Sequence, residues 1–465
     1  MPQSSDFGIL WLSYFLKQIN IQMGGMGIIS NDIIKPIITQ TRRNFMSTIT
    51  VSILGVGARG GEAYGSYVHA CKDKYKIVSL CDVNPSKIEK YSALFNVRKE
   101  DCYLNEEEFL KEKRSDLLII ATLDQDHVRL ALKAIKLGYA ILLEKPISDN
   151  VEELVELQKT AKEYGTIVVV CHVLRYTVAI RKIKELIDAK KIGELVSFDS
   201  LEQVAYWHYA HSYVRGNWRS SKNTTPMIMA KCCHDLDLMQ YFAGSKCESL
   251  SSVGALRYFK PENKPEGATD RCINCKHVDT CAYSAKRIYV DEWNLCGKPN
   301  AWPFTVLSDK ELTEEELFDK LKTTRYGECV FNGYNDVVDH QFVTATFENG
   351  VTANLNMMAF TKGGGRIMRF FGTEGEILYD EAGDHVTLKK FGGENEIYVI
   401  SKLTDDLSGH GGGDHRMIDA VYEILTGNTS VADTSLDRSI ESHLMAIASE
   451  KSRISGGERV KIHEN

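Results

Sequence analysis

The sequence contains no apolar run that approaches the about 18 consecutive residues needed to span a bilayer. It also has no excess of positive charge, because 56 Lys and Arg residues stand against 63 Asp and Glu residues and leave a net charge of -7. The first absence argues against a membrane protein, and the second gives no reason to expect nucleic acid or an anionic membrane as a partner. At 465 residues, with 43% hydrophobic and 26% charged residues, the chain is typical of a globular protein with two or three domains.

The 12 cysteines are scattered along the chain rather than packed into a short secreted framework. Cys71, Cys81 and Cys171 fall at apolar helix or strand positions, as reduced and buried thiols do. Cysteine usage therefore predicts a cytoplasmic protein.

One dense cysteine group, Cys272, Cys275 and Cys281, has the pattern C-x2-C-x5-C. Two cysteines separated by two residues on a turn can hold a structural zinc ion, with the third as a further ligand. The candidates for a fourth ligand are His277, Cys247 and Cys296. The usual spacing of two such pairs is incomplete, so free thiols are the alternative, and we predict no catalytic metal.

Residues 1–47 precede the first clear element of structure. The apolar segment Phe7–Leu16 follows Asp6, where a secretory signal peptide would carry positive charge. Thr41–Met46 resembles a twin-arginine export motif, but the chain then runs directly into Ile49–Leu54, which we interpret as the first strand of the fold. Cleavage there would destroy the domain, so we predict a poorly ordered leader rather than an export signal.

From residue 48 to residue 173, short β-rich runs alternate with amphipathic helical patterns. This alternation is typical of βαβ units around a parallel sheet and predicts a Rossmann domain that binds NAD(P). The predicted strands are Ile49–Leu54, Tyr75–Cys81, Asp116–Ala121, Tyr139–Leu143 and Ile167–Cys171.

The pattern changes in residues 174–465, which we predict to form the substrate-binding domain. Alternating and β-branched runs separated by turns predict a large, mostly antiparallel sheet. Helices are expected to cover one face of this sheet, at Thr225–Phe242, Asp414–Leu425 and Ser435–Glu450. Residues 257–325 fit neither pattern and are predicted to be an insertion. The predicted fold class is therefore α/β, with a Rossmann domain followed by an α+β domain.

The first predicted strand runs into Gly55-Val-Gly57-Ala-Arg-Gly60, a G-x-G-x-x-G loop that precedes a helix. The first glycine permits a tight turn, the second lets the backbone approach a pyrophosphate, and the third lets the helix pack closely on the strand. The second strand ends at Asp82, 22 residues after the last glycine, where an acid can bind the adenosine ribose hydroxyls. Asp82 would repel a 2′-phosphate and predicts NAD rather than NADP, whereas Arg59 in the loop favours NADP.

The stretch Ala140–Ser148 reads AILLEKPIS, so that an apolar strand ends in two charges, Glu144 and Lys145. In an open parallel sheet, ligands bind beyond the carboxyl ends of the strands. Glu144 and Lys145 lie at that edge together with the glycine loop, and Thr122 ends the preceding strand in the same way. We therefore expect the two charges to lie at the mouth of the cofactor site.

These motifs resemble those of the glucose–fructose oxidoreductase, inositol dehydrogenase and rhizopine catabolism (Gfo/Idh/MocA) family. The matching segments are Gly55–Gly60, Ala121-Thr122, His127, Gly138, Glu144-Lys145-Pro146, Arg175-Tyr176, Ile192-Gly193 and His234–Asp237. The resemblance covers about residues 48–242, and Glu-Lys-Pro at the end of a sheet strand is its most diagnostic element. It implies NAD(P)-dependent oxidation or reduction of a sugar or cyclitol, and association of like chains through the C-terminal sheet.

Oxidation of a secondary alcohol requires removal of the hydroxyl proton as hydride leaves carbon. His234 is predicted to be the general base, because a neutral imidazole can accept that proton near pH 7. The resemblance places the ammonium of Lys145 at the reacting hydroxyl, where it would stabilise the developing negative charge.

The chain departs from the family pattern at two places. Leu123-Asp124 stands where Pro-Asn is usual, and Ala230 stands where an Asp is frequent. Lys231 lies three residues before His234 and is expected to share its helix face and to position the substrate.

The remaining predicted contacts come from the segments around these motifs. Tyr206–Arg219 mixes flat aromatic rings with polar groups, as a sugar-binding surface does, and the glycine-rich Gly409–Asp414 could close over a substrate. The predicted cofactor contacts are Gly55, Gly57, Arg59, Gly60, Asp82, Thr122, His127 and Glu144. The predicted substrate contacts are Arg175, Trp218, Lys231 and His410.

Two other functions could use the same residues. One is a glycosidase in which tightly bound NAD transiently oxidises the sugar and so permits elimination of the leaving group. The other is a sugar sensor that has lost its chemistry, against which the presence of both Lys145 and His234 argues. The sequence leaves the choice between dehydrogenase and glycosidase open.

Overall fold

The computed structural model describes residues 48–308, 312–429 and 433–463 of the chain. The predicted leader, at residues 1–47, lies outside these ranges. None of the helices in the described ranges combines the length and the apolarity that crossing a membrane would require. The described residues form two sheets, one of 6 strands and one of 9 strands.

The first sheet consists of β1 (Ile49–Leu54), β2 (Tyr75–Cys81), β3 (Cys102–Tyr103), β4 (Leu117–Ile120), β5 (Ala140–Leu143) and β6 (Val168–Val170). The strand order is β3-β2-β1-β4-β5-β6, and every pairing is parallel. The order reverses between β1 and β4, which opens a crevice at the carboxyl ends of these two strands. The predicted Rossmann fold is confirmed.

The helices of this first part are α1 (Ser66–Ala70), α2 (Pro85–Phe95), α3 (Glu106–Phe109), α4 (His127–Lys136) and α5 (Val151–Glu163). A π-helical segment, Ala58–Gly65, leads from the glycine loop into α1. Side-chain caps fix the starts of the longer helices, since Asn84 accepts a hydrogen bond from the backbone of Ser86 and Asn150 accepts one from Glu153.

The second sheet consists of β7 (Leu195–Gln203), β8 (Cys247–Ala255), β9 (His340–Phe347), β10 (Thr352–Met358), β11 (Gly365–Gly372), β12 (Gly375–Asp380), β13 (His385–Lys390), β14 (Asn395–Val399) and β15 (Val460–Lys461). Its order is β14-β13-β12-β11-β7-β10-β9-β8-β15. Strands β7 and β10 pair in parallel, and the other neighbours pair antiparallel. The predicted mostly antiparallel sheet is confirmed.

The helices of the second part are α6 (Val178–Asp188), α7 (Tyr206–Tyr209), α8 (Met227–Ala230), α9 (Cys233–Ala243), α10 (Glu292–Leu295), α11 (Glu314–Thr323), α12 (Ser408–Leu425) and α13 (Leu436–Ile454). Helices α9 and α13 cover one face of the nine-stranded sheet, where Phe242 and Met445 share a buried core with Phe198 and Phe347.

The helix predicted at Asp414–Leu425 does not cover that sheet, and this expectation was wrong. Its residues in α12, including Met417, Ile418 and Val421, are buried in one core with Val51 and other residues of the first sheet. The amphipathic pattern identified an apolar face correctly, but periodicity alone does not say which sheet buries that face. As a result, the start of α12 lies beside the glycine loop.

The single helix predicted over Thr225–Phe242 was also wrong. Two helices, α8 and α9, meet at Lys231 and Cys232, and Cys232 has φ -90° and ψ 5°. Residues at this break make tertiary contacts. Lys231 pairs with the buried Glu202, and the Ala230 carbonyl accepts a hydrogen bond from Lys145 of the first domain. Such contacts override local helix propensity.

The described residues of the predicted insertion, 257–325 without 309–311, consist mainly of short helices and turns. They are not a loose loop, because Tyr289, Trp293 and Phe304 are buried in the same core as the nine-stranded sheet. The insertion therefore packs as part of the second domain.

Candidate active site

The glycine loop is shaped by close backbone contacts on one side and open space on the other. Gly55 has φ +91°, and a Cβ there would overlap the carbonyl oxygen of Ala121. A Cβ at Gly57 would meet no atom nearer than Lys87 Nζ at 3.8 Å. The first glycine therefore serves the turn, and the second leaves open space beside the backbone, as the approach of a pyrophosphate requires.

Asp82 lies at the end of β2 and holds the loop in place. Its carboxylate accepts hydrogen bonds from the backbone amides of Val56 and Asn84, both at 2.9 Å. Each carboxylate oxygen can accept more than one hydrogen bond, so these contacts leave Asp82 able to bind a ribose hydroxyl.

Arg59 joins the glycine loop to two acids. Its Nε donates to Glu144 Oε1 at 2.8 Å, and its Nη2 donates to Asp414 Oδ1 at 2.6 Å. Glu144 also accepts a hydrogen bond from the Tyr64 hydroxyl at 2.6 Å. Burial acts to raise the pKa of Glu144, but the charges of Arg59 and Lys145 hold it below its ordinary value. A 2′-phosphate would have to compete with both carboxylates for Arg59.

The two residues predicted to be catalytic both lie near the break between α8 and α9. Lys145 Nζ donates to the Ala230 carbonyl at 3.1 Å. His234, 7% exposed, stands near the start of α9, and its Nδ1 has no hydrogen-bond partner among the described residues. Burial and then the charge of Lys145 lower the pKa of His234 well below its usual value. The charge of Lys145 therefore acts on the imidazole of His234.

His234 belongs to a row of buried imidazoles that the sequence reasoning missed. Its ring centroid lies 5.7 Å from that of His172, which in turn lies 5.6 Å from that of His443. Burial lowers the pKa of His172 well below its usual value and that of His443 to about 3. The row connects the candidate site with α13.

His410 reaches the site from the start of α12. It adopts a left-handed backbone conformation, with φ 46°, between glycines that also have positive φ. Its Nδ1 lies 3.1 Å from Asp414 Oδ2, and its ring centroid lies 6.3 Å from that of His234. The His410 side chain is 43% exposed, so it stands between the buried His234 and solvent.

A cavity of about 280 Å³ lies beside His410. Its polar lining includes Arg366, Glu381, Asp384, Thr177 and His410, and its apolar lining includes Leu174, Ile180, Ile400 and Leu407. A cavity that combines apolar walls with a few polar groups is typical of small-molecule sites.

Lys231 forms an ion pair with Glu202, a residue that was not predicted to belong to the site. Its Nζ lies 3.1 Å from Glu202 Oε1, and Glu202 is 1% exposed. Arg366 lies 2.9 Å from the other oxygen of Glu202 and 2.7 Å from Asp235. Lys231 and Arg366 therefore enter one buried ion network on the sheet side of the site.

Asp124 explains one departure from the family pattern. The indole Nε1 of Trp218 donates to Asp124 Oδ2 at 3.1 Å, and the Thr225 hydroxyl donates to the same oxygen at 3.0 Å. A carboxylate can accept both bonds, so Asp124 ties the second domain to the end of β4. Trp218 was predicted to contact the substrate, but its indole N–H already donates a hydrogen bond to Asp124.

Two more predicted residues have structural partners. His127 is 1% exposed, and its ring nitrogens lie 2.7 Å from the Pro146 carbonyl and 3.2 Å from the Thr122 carbonyl. His127 thereby fixes the ends of β4 and β5 against each other. Arg175 is placed in a buried ion pair with Asp237, at 2.6 Å, rather than free to contact a substrate.

The cysteine pattern gathers around a small space of about 20 Å³, lined by Cys272, Cys275, Cys281 and Cys329. Cys329 was not among the fourth ligands considered. All four are free thiols. Within residues 48–308, 312–429 and 433–463, no group of three or more His, Cys, Asp or Glu side chains is arranged to hold a metal ion. The choice between a structural zinc site and free thiols stays a prediction.

Two family profiles match the chain. Residues 49–172 match the profile of the oxidoreductase family with an NAD-binding Rossmann fold, and residues 184–462 match that of the same family's C-terminal alpha/beta domain. The protein YteT of Bacillus subtilis is 25% identical over 367 residues, which are 75% of this chain and 82% of YteT. The scyllo-inositol 2-dehydrogenase (NAD(+)) of Bacillus subtilis is 23% identical over 331 residues, or 66% of this chain and 93% of that enzyme.

Solved structures share the fold. An oxidoreductase from Agrobacterium radiobacter, in complex with NAD+, L-tartaric acid and magnesium, superimposes with a TM-score of 0.64 at 15% identity, over 90% of this chain and 99% of that one. At this identity the likeness concerns the fold alone. The two profile matches, over both domains, show that the chain belongs to the Gfo/Idh/MocA oxidoreductase family, with an NAD-binding Rossmann domain and a C-terminal alpha/beta domain.

Proposed function

We propose that the protein is an NAD-dependent oxidoreductase that transfers hydride between the nicotinamide and a secondary alcohol of a sugar, a sugar derivative or a cyclitol. The observation that carries the proposal is the contact of Lys145, which follows β5, with the Ala230 carbonyl at the break that precedes α9 and its His234. One group can stabilise negative charge on an oxygen while the other accepts its proton. The similarity to scyllo-inositol 2-dehydrogenase supports a polyol as the substrate class.

The glycine loop fits a dinucleotide. Bound NAD supplies the hydride acceptor. The loop from Gly55 through Gly57 to Gly60 would hold the pyrophosphate, because the side of Gly57 is open while the other two are closely packed. Asp82 would bind the adenosine ribose, and Thr122 and Glu144 would line the nicotinamide end. His127 would act as a positioning residue through Thr122 and Pro146.

NAD is favoured over NADP by two charges. Asp82 would repel a 2′-phosphate, and Arg59, the cation that could attract one, is already paired with Glu144 and Asp414. These contacts support NAD as the cofactor of this chain.

In the oxidation direction, the substrate hydroxyl would lie between Lys145 and His234. Lys145 would donate a hydrogen bond to the oxygen and stabilise its charge as the proton leaves. His234 would accept that proton on a ring nitrogen, since the lowered pKa keeps the imidazole neutral and available. The same low pKa means that His234 would release the proton readily.

A route for that proton leads through His410. Its ring is next to that of His234, it is held by Asp414, and it is partly exposed to solvent. Burial acts to raise the pKa of Asp414, but His410 and Arg59 hold it below its ordinary value. The Asp414 carboxylate would therefore stay charged and stabilise a protonated His410. We propose that His410 contacts the substrate and passes the proton to solvent.

A second candidate uses the same groups for elimination. The 2,7-anhydro-N-acetylneuraminate hydratase of Escherichia coli is 25% identical over 208 residues, 44% of this chain and 52% of that enzyme. Transient oxidation acidifies the neighbouring C–H, so that a leaving group can be eliminated and water added before the hydride returns. This reaction would leave no net NADH.

The two candidates are separated by one experiment. Purified full-length protein is incubated with NAD and a panel of sugars, inositols and aryl glycosides, and both NADH absorbance and released aglycone are followed. Accumulation of NADH with a free polyol supports the dehydrogenase, and release of aglycone without NADH supports the elimination. If a sugar binds but neither signal arises, the protein is a sensor.

The association through the C-terminal sheet stays a proposal. Phe342 on β9 and Ile367 on β11 are 43% and 40% exposed, so part of the face of the sheet opposite α9 is apolar. A second copy of the chain would cover these side chains. Light scattering after size-exclusion chromatography should give the mass of an oligomer, and Phe342→Lys should reduce it.

A further inference from the structure

The insertion brings one partly exposed tryptophan to the aromatic residues of α7. The ring centroid of Trp302 lies 5.0 Å from that of His208, at an interplanar angle of 74°, and 5.6 Å from that of Trp207. Trp302 is 38% exposed, and Trp207 and His208 are half-buried. An aromatic surface thus remains open at this point of the fold.

These rings continue toward the candidate active site. We call Trp302, His208, Tyr213 and Trp218 the aromatic row. The centroid of Tyr213 lies 6.2 Å from that of His208 and 6.4 Å from that of Trp218. Trp218 in turn donates to Asp124 beyond β4, at the edge of the first sheet from which Lys145 also projects.

His208 connects the aromatic row to the charges of the site. Burial, and after it the charges of Lys231 and Lys145, lower the pKa of His208 well below its usual value. The charges of both lysines therefore reach His208, and Trp302 packs on its ring.

The insertion does not depend on Trp302 for its packing. Tyr289 is fully buried, and Trp293 and Phe304 are 4% and 3% exposed. These residues fill the core between the insertion and the nine-stranded sheet. The open face of Trp302 adds little to that core and is free for another role.

We propose that Trp302 and Trp207 form a subsite that stacks on a second sugar ring, so that the substrate is a glycoside or an oligosaccharide rather than a free monosaccharide. The proposal rests on the proposed function, since the first ring would bind at Lys145 and His234. The apolar C–H face of a pyranose is complementary to an indole face. His208 would supply a polar group between the first and the second sugar ring.

The test is a calorimetric titration of the NAD-loaded full-length protein. The probes are disaccharides of the common hexoses, hexosamines and uronic acids, together with the monosaccharides they contain. At least one disaccharide should bind about tenfold more tightly than its monosaccharide, and Trp302→Ala should remove that gain while leaving the Kd of the monosaccharide unchanged. Trp302→Phe should keep most of the gain.

The matched control is Leu295→Ala, because Leu295 lies on the same insertion, is 81% exposed and stands outside the aromatic row. It should leave both affinities unchanged. The subsite proposal is overturned if no disaccharide exceeds its monosaccharide, or if Leu295→Ala weakens binding as much as Trp302→Ala.

Parallel NADH and aglycone assays keep the two proposals separate. A tryptophan-dependent affinity for disaccharides without any turnover would retain the subsite and reject the proposed function. Turnover of monosaccharides alone, with Trp302→Ala changing neither kcat nor KM, would retain the function and reject the subsite.

Discussion

Arg59 Nη2 and Asp414 Oδ1 lie 2.6 Å apart, although the two residues are 355 positions apart in the chain. This ion pair connects the glycine loop of the first domain to the start of α12. Asp414 is 2% exposed and also bonds His410, so one carboxylate links the cofactor loop to the candidate proton route. The contact explains why a glycine-rich segment near the end of the chain belongs to the site.

Asp414→Asn should destabilise the protein strongly. The substitution removes the charge of the buried Asp414, whereas its partner Arg59 is 32% exposed and can gain water, so the free energy of unfolding should fall by about 1.5–3 kcal/mol. The matched control is Asp419→Asn on the same helix, whose pair with Lys74 is 36% exposed and should contribute less than about 1 kcal/mol. Urea unfolding curves give both values, and equal losses for the two variants would contradict the role of Asp414.

Lys145→Met should lower turnover by about 100-fold or more, because a preorganised group that stabilises developing charge is lost. NAD affinity should change little, since the glycine loop and Asp82 are proposed to hold the other end of the cofactor. His234→Ala should give a similar loss, and the double variant should lose less than the product of the two, because both groups act on one oxygen. Lys159→Met, at an exposed position of α5, is the control and should leave turnover unchanged. Full turnover by Lys145→Met would show that Lys145 has no catalytic role.

Asp82→Asn should shift cofactor preference toward NADP by about tenfold or more. The variant removes the repulsion of a 2′-phosphate and weakens a charged hydrogen bond to the ribose, which contributes about 1.5–3 kcal/mol. Because Asp82 also accepts from Val56 and Asn84, Asp82→Ala should weaken both cofactors by loosening the loop. Fluorescence titration with NADH and NADPH measures the ratio, and a wild-type protein that prefers NADPH would refute the assignment.

Stability should fall as pH drops below about 6.5. The pKa of His443 is lowered from 6.5 to about 3 and that of His172 is also lowered, so the folded protein keeps these imidazoles neutral where the unfolded chain is protonated. Each such group makes the free energy of unfolding decrease by up to about 1.4 kcal/mol per pH unit in that window. His172→Leu should reduce the slope between pH 6.5 and 5, measured by urea unfolding. Above pH 7 the slopes of variant and wild type should coincide, and unchanged slopes below it would reject the explanation.

The first sheet was predictable because its strands have strong local signals. β1 and β2 have the predicted bounds, Ile49–Leu54 and Tyr75–Cys81, since runs rich in apolar and β-branched residues end there in glycine or acid. β8 was missed because its sequence, CESLSSVGA, is rich in serine and lacks a clear alternation. β14 has only 5 residues and follows a turn. Such strands form because neighbouring strands supply hydrogen bonds and a core.

The candidate site was predictable where one motif supplies the chemistry. Lys145 at a strand end and His234 near a helix start were identified from their motifs, and their catalytic roles stay a prediction. The structure adds that Lys145 contacts the Ala230 carbonyl just before that helix. Glu202 and Arg366 carry no local signal, because strands β7 and β11 bring them to the site through a pairing between distant segments. For such residues, only the three-dimensional pairing reveals that they meet.

The placement of α12 has a consequence for how the protein is made. Met417, Ile418 and Val421 complete the core of the first sheet, yet the ribosome synthesises them more than two hundred residues after β6. N-terminal domains often fold while the rest of the chain is still being synthesised. Here the nascent first domain would keep an open apolar face during nearly all of translation, which makes the growing chain a natural client for chaperones that shield such surfaces.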